Sequence, residues 1–358
     1  MKELIAVILT ISLTQGLFGQ SQSIENFIDS YAHEHDFNGT ILIQKKGQIQ
    51  YHHSFGLANR QFNVPNSNET RYKIASITKI FTATLIMQLY EQGKVDLNKT
   101  ISSYLPDYEG EGANKVTIHQ LLNHTSGMAN IDTIKSMASA IKNGPPMVYQ
   151  KVMTTDEILK QYCRSPLLHE PGKVFDYNNA EYIILGKIIE HICGKPFEQV
   201  LEENILQPLK MNNSGMLYQY DVISRLADTY FYRDDINRLV NDFPVYIQNW
   251  YASGAMYSTA DDLLTFSNEL FGFKILKQST LDLMFKPGLD EYGYSVWSFE
   301  SELNGKKYRT IKRPGRIMGA GGDIYRLLDE DLTIIILSNC GTTDLDDFLI
   351  QMAKRLVG

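Results

Sequence analysis

The clearest apolar periodicity in the chain lies between Ser76 and Gly93. Ile77, Ile80, Phe81, Leu85 and Leu89 recur at three- and four-residue steps, which predicts a helix with one buried apolar face. Ser76 suits a cap or first turn, and Gly93 stands where a left-handed C-terminal cap is expected. Other stretches follow strand patterns. Gly39 to Gln44 and Gln48 to Phe55 predict a hairpin turning at Lys45-Lys46-Gly47. Leu332 to Ser338 is a continuous, β-branched strand, and Thr310 to Met318 and Asp323 to Leu328 flank a glycine turn, Gly319 to Gly322.

Further helices are expected at Ile24 to His35, from a Thr117 cap towards Gly127, before Gly194, over Phe197 to Leu206, up to Phe266, and from Asp344 to Leu356. Residues 129–170, with Pro145-Pro146, Pro166 and a helix near Thr155 to Cys163, predict an irregular lid or cleft rim. Residues 213–250 are polar and tyrosine-rich and predict little. Strands at the front and back with helices between predict a sheet built from both chain ends and a mostly helical lobe inserted between them.

Composition narrows the class. The chain has 358 residues, 43% hydrophobic and 21% charged, enough for one large core or two lobes. A net charge of −7 argues against a nucleic-acid partner. Residues 1–20 pattern as a signal peptide: Lys2 precedes an apolar run from Leu4 to Leu17 that is short for a membrane span. Export to the periplasm or the extracellular space is expected, with no stable membrane span. Cys163, Cys193 and Cys340 are odd in number, and no disulfide is predicted. His33, His35, His52 and His53 match no metal-ligand spacing and read as solvated or packed side chains.

The candidate chemistry begins at Ser76-x-x-Lys79. Positions i and i+3 share a helix face, so the amine can reach the hydroxyl, and unpaired helix N-terminal N–H groups lie close by. That describes a serine nucleophile with a built-in proton shuttle; the plain alternative is a capping serine. Tyr177 lies in a polar loop before an apolar helix and reads either as packing or as a phenol at a pocket. Asn179 reads either as a polar contact or as an N-cap. His124, where a helix breaks, is expected to pin a loop through hydrogen bonds to backbone.

Taken together, Ser76-x-x-Lys79, Leu121-Leu-Asn-His-Thr-Ser-Gly127, Tyr177-x-Asn179 and Ser253-Gly-Ala-Met resemble the serine β-lactamase and penicillin-binding-protein superfamily. Leu337-Ser-Asn339 also fits, and the likeness is to the class C-like branch, over residues 24–356. The resemblance implies an α+β fold with an antiparallel sheet flanked by helices. It implies one serine-hydrolase domain over 21–358, with an α/β lobe at about 21–95 and 300–358 and a helical lobe at about 96–299. It also implies an acyl-enzyme mechanism with Ser76, Lys79 and Tyr177 as catalytic residues and no metal or cofactor.

One motif departs from that pattern. The family's Lys-Thr-Gly or His-x-Gly position falls on Arg313-Pro314-Gly315, with Gly319 four residues on; the alternative is an ordinary surface arginine. Arg313 keeps a positive charge that can grip a carboxylate, and Pro314 lacks a backbone donor. By resemblance, Asn179 holds Lys79 or the substrate, and the backbone N–H groups of Ser76 and Arg316 hold the oxyanion. A peptide or small-molecule amide or ester is the expected substrate, in preference to a β-lactam. The rival from another class is a silent binding protein of the same fold. A Gly-x-Ser-x-Gly elbow is absent, which excludes an α/β-hydrolase.

Overall fold

The computed structural model describes residues 24–130, 137–144 and 146–357. The expected signal peptide, and residues 131–136 and 145 of the expected rim, lie outside them. The strands that form the main sheet are β1 (Gly39–Lys45), β2 (Gln48–Phe55), β3 (Trp297–Leu303), β4 (Lys306–Ile317), β5 (Ala320–Leu327) and β6 (Leu332–Ser338). The helices used below are α1 (24–34), α2 (Thr78–Glu91), α3 (Ile118–Leu122), α4 (Asn179–Cys193), α5 (Ala260–Phe271) and α6 (Leu345–Leu356).

The sheet order is β3-β4-β5-β6-β1-β2, and every neighbouring pair is antiparallel. β1 from the start of the chain therefore pairs with β6 from its end, Gly39 opposite Ser338 and Lys45 opposite Leu332. The β1–β2 hairpin turns through Lys46 and Gly47, both at positive φ, as a two-residue turn that matches strand twist requires. Side chains alternate between two cores. Ile334 and Ile336 pack with Ile24, Ile28, Phe348 and Met352 of α1 and α6. Ile335 and Leu337 pack with Phe81 and Phe266 of α2 and α5. Covered on both faces, β6 is buried along its whole length, which is why its sequence is apolar without alternation.

Four local expectations are corrected. The Ser76 segment opens as a single 3₁₀ turn, Ala75–Ile77, and regular helix begins at Thr78. α2 has no exposed face over its first ten residues, because the sheet and the helical lobe cover it from both sides. Its threonines are tolerated there because Thr78 donates to Ala75 O, Thr82 to Ala252 O and Thr84 to Ile80 O. α3 stops at Leu122, with His124 in left-handed backbone at φ 58°. The glycine turn is tighter than expected: it spans Met318 and Gly319, and Gly321 and Gly322 are strand residues paired to β6. A Cβ at Gly319 would lie 2.0 Å from Tyr230 O, so no larger residue fits.

β3 was not anticipated. Its residues pair only with Lys306–Lys312 of β4, so Arg313–Ile317 keep an edge that β3 does not cover. Among the described residues no helix is long and apolar enough to cross a membrane.

Candidate active site

The site forms where the turn before α2, the loop before α4 and the uncovered end of β4 converge. The Ser76 turn is clamped from below. Ile74 N donates to Met256 O at 3.0 Å, and Met256 N donates to the Thr78 hydroxyl at 3.2 Å. Ala75 is buried at φ 46°, a conformation that costs an L-residue ~1–2 kcal/mol, so the tertiary clamp imposes it. Neither the 3₁₀ turn nor α2 is capped by a side chain. Ser76 is thus not a capping serine; it is half-buried, and its Oγ accepts from Lys79 Nζ at 3.1 Å.

Lys79 is fully buried, and an ammonium in that position needs acceptors. It has Asn179 Oδ1 at 2.5 Å and the Ser253 carbonyl at 2.8 Å besides Ser76. Asn179 is therefore a lysine anchor, and the cap of α4 is its neighbour Asn178, whose Oδ1 accepts from Ala180 N at 2.9 Å. The Ser253 stretch enters the site through its backbone carbonyl.

Tyr177 meets two cations. Lys79 Nζ lies 4.9 Å from its ring centroid, and Arg313 Nη2 donates to its hydroxyl at 2.8 Å. Burial pushes the phenol pKa up. The Arg313 guanidinium, then Lys79, then hydrogen bonding to Lys79 and Ser76 more than offset that, and bring it down to about 8. Ser76, Lys79 and Tyr177 thus stand in one hydrogen-bonded group.

Arg313 is 1% exposed, so it is not a surface arginine. Its guanidinium also donates to Tyr292 Oη at 2.8 Å and to Ser295 O at 2.7 Å, and the Trp297 ring centroid lies 5.9 Å away. The guanidinium expected to grip a substrate carboxylate is here hydrogen-bonded to the phenol. Gly315 lies against the serine turn: a Cβ there would come within 2.2 Å of Ile74 O and 2.9 Å of Ile77 N. Arg316 alternates to the other face of β4. Its side chain bonds Asp323 at 2.7 Å and Asp346 of α6 at 3.3 Å, so only its backbone belongs to the serine side.

His124 contacts the Tyr177 loop as expected, but its imidazole also meets Glu181, a buried carboxyl that the sequence reading passed over. The signal was present: Glu181 is a charge inside the apolar run of α4. Tyr292 and Trp297 were passed over too.

A family model described as Beta-lactamase matches residues 24–358. The putative penicillin-binding protein PbpX of Bacillus subtilis is 29% identical over 73% of this chain and 62% of its own length, so the chain spans less than two thirds of that relative. A teichoic acid D-alanine hydrolase of Staphylococcus aureus is 22% identical over 87% of this chain and 72% of its own. Among solved structures, a penicillin-binding protein from Bacillus halodurans superposes with a TM-score of 0.77 at 26% identity, covering 91% of this chain and 98% of that one. A D-amino acid amidase from Ochrobactrum anthropi shares the fold, with a TM-score of 0.78 at 23% identity over 94% and 97% of the two chains.

Proposed function

The chain belongs to the beta-lactamase family of serine hydrolases, and from that premise we propose that it is an exported acyl hydrolase opening amides or esters of D-amino acids through a covalent intermediate on Ser76. The observation that carries this reading is the contact of Lys79 Nζ with Ser76 Oγ at 3.1 Å beside a phenol held down to about 8. Tyr177, as phenolate, takes the serine proton with Lys79 as its relay. Ser76 Oγ then forms a bond to the carbonyl carbon, and the oxyanion meets the backbone N–H groups of Ser76 and Arg316. The proton passes to the departing amine or alcohol as the scissile bond breaks. In the second half Tyr177 takes a proton from water, whose oxygen bonds to the acyl carbon; the bond from that carbon to Ser76 Oγ breaks, the proton passes to Oγ, and the acid leaves. Asn179 and the Ser253 carbonyl keep Lys79 in place throughout.

Two of the similar proteins are named for D-amino-acid chemistry, one an amidase and one a hydrolase of D-alanine on teichoic acid, which supports that acyl class. The patterned leader over residues 1–20 supports export. The test is mass spectrometry of the protein mixed with p-nitrophenyl acetate, D-alanine amide and nitrocefin. An acyl adduct on Ser76 and turnover of the ester and the D-amide are expected, both lost in Ser76→Ala. An adduct that persists in that variant would overturn the nucleophile, and nitrocefin as the best substrate would overturn the acyl class.

A further inference from the structure

We propose that His124 is the positioning residue for Tyr177, and that Glu181 holds it there as a neutral, protonated carboxyl group. The inference rests on the reading of Tyr177 as the base. Three consecutive loop residues sit on His124. Asp176 N donates to the His124 carbonyl at 2.9 Å. The Tyr177 ring lies 4.3 Å from the imidazole, centroid to centroid. Asn178 N donates to imidazole Nδ1 at 3.3 Å. His124 thus reaches the loop before the phenol through its carbonyl, and the phenol and the residue after it through its imidazole.

The proton can be placed from the donors. Nδ1 receives the Asn178 N–H, so it presents a lone pair there and carries no hydrogen of its own. Glu181 Oε2 lies against the same Nδ1. A carboxylate oxygen facing a bare ring nitrogen would set two acceptors against each other. The contact is a hydrogen bond if Glu181 supplies the hydrogen, which then shares the single Nδ1 lone pair with the Asn178 N–H and leaves the neutral ring's own hydrogen on Nε2, buried without a partner among the described residues. An Nδ1–H would instead leave the buried Asn178 N–H facing another donor. Glu181 Oε1 accepts from Ser126 N at 3.3 Å. Both side chains are fully buried. The charges facing them agree. Burial, then Lys79 and Arg313, push His124 well below the imidazole range. Burial pushes Glu181 well above the carboxylate range, with Asp176 adding to it and Ser126 and Lys79 opposing it. Tyr182 and Tyr292 complete the wall, 5.2 and 4.9 Å from the imidazole centroid. A neutral pair fixes the loop without adding a charge beside the phenol.

The test compares two substitutions by thermal melting, by the pH profile of ester turnover and by difference infrared spectroscopy. In Glu181→Gln the amide donates to Nδ1 and accepts from Ser126, as the acid does. This conservative variant should keep the melting point and the acid limb of the profile, and hold kcat within ~3-fold, since geometry and charge are both preserved. Glu181→Leu removes the donor and should lower kcat by ~10-fold or more with KM unchanged, and move the acid limb to higher pH, because the phenol loses its seat. The infrared band of a protonated carboxyl should be present in the wild type and missing from Glu181→Gln. A band of an ionised carboxylate in its place, or a displaced acid limb in Glu181→Gln, would overturn the neutral pair. Wild-type kcat and profile in a folded Glu181→Leu would overturn the positioning role. A wild type that never acylates Ser76 would instead sink the proposed function, with the infrared result still deciding the protonation state.

Discussion

The guanidinium of Arg313 donates to the phenol oxygen of Tyr177 over 2.8 Å, from a position that solvent does not reach. An arginine does not lose its proton in the working pH range, so this support for the phenolate is permanent, unlike that of a lysine or histidine. The pH dependence of acylation follows from it. The pKa is depressed, so the active ionised form fills as pH rises towards about 8. Below that point kcat/KM for an activated ester should climb roughly tenfold per pH unit, and above it level off. Arg313→Met should displace the limb to higher pH; a limb that stays in place would separate Arg313 from the phenol.

The same bond makes a prediction about substrates. Arg313 is sealed behind Tyr177 and Trp297, so a carboxylate on the substrate gains no direct contact with it. An N-acyl-D-alanyl-D-alanine and its C-terminal amide should therefore differ in kcat/KM by less than ~10-fold, below what a lost charge-assisted hydrogen bond produces. A preference for the free acid of two orders of magnitude would mean that the guanidinium turns out to meet the substrate.

Asn179→Ala should act through Lys79. The ammonium loses its 2.5 Å acceptor and keeps Ser76 and the Ser253 carbonyl. Hydrogen bonds to charged groups contribute ~1.5–3 kcal/mol, so acylation should fall by roughly 10- to 100-fold while the fold survives. Burst kinetics with a p-nitrophenyl ester measures this; an unchanged burst rate would leave Asn179 without a role in the site.

Gly315→Ala probes the backbone contact between β4 and the serine turn. The new methyl would arrive 2.2 Å from Ile74 O, against main chain that cannot rotate away. Overpacking of this kind costs ~1–3 kcal/mol, and here it displaces the turn carrying Ser76. A lower melting temperature together with lost acylation is expected; full activity would show that the strand can retreat without consequence.

Much of the site was legible because its chemistry is local in sequence. Ser76 and Lys79 are three residues apart, so even a 3₁₀ turn in place of the expected helix start leaves them 3.1 Å apart. Asn179 reads from its residue type as a cap or a polar contact, and the resemblance already set it against Lys79; the direction of the backbone gives the cap to Asn178 instead. Glu181 reads as an ordinary helix glutamate until its position opposite His124 is known. The outer strand was missed although Trp297, Phe299, Ser301 and Leu303 alternate with more polar neighbours, because the two glutamates in the run mask a strand buried on one face only. The one-sided helix expected after Ser76 failed for a related reason: threonine counts as polar in a pattern, yet buries readily when a carbonyl lies within reach.

The union of β1 with β6 has a consequence for how the molecule comes to life. A ribosome releases Gly39 long before Ser338, its partner across the sheet, exists. Until then one side of the first hairpin is an open row of amides and carbonyls, the kind of edge that recruits stray strands or a holding chaperone. The strand facing Ser76 is likewise among the last to be made. Newly made chains should stay inert through nearly all of synthesis, and hydrolytic competence should switch on only at its close.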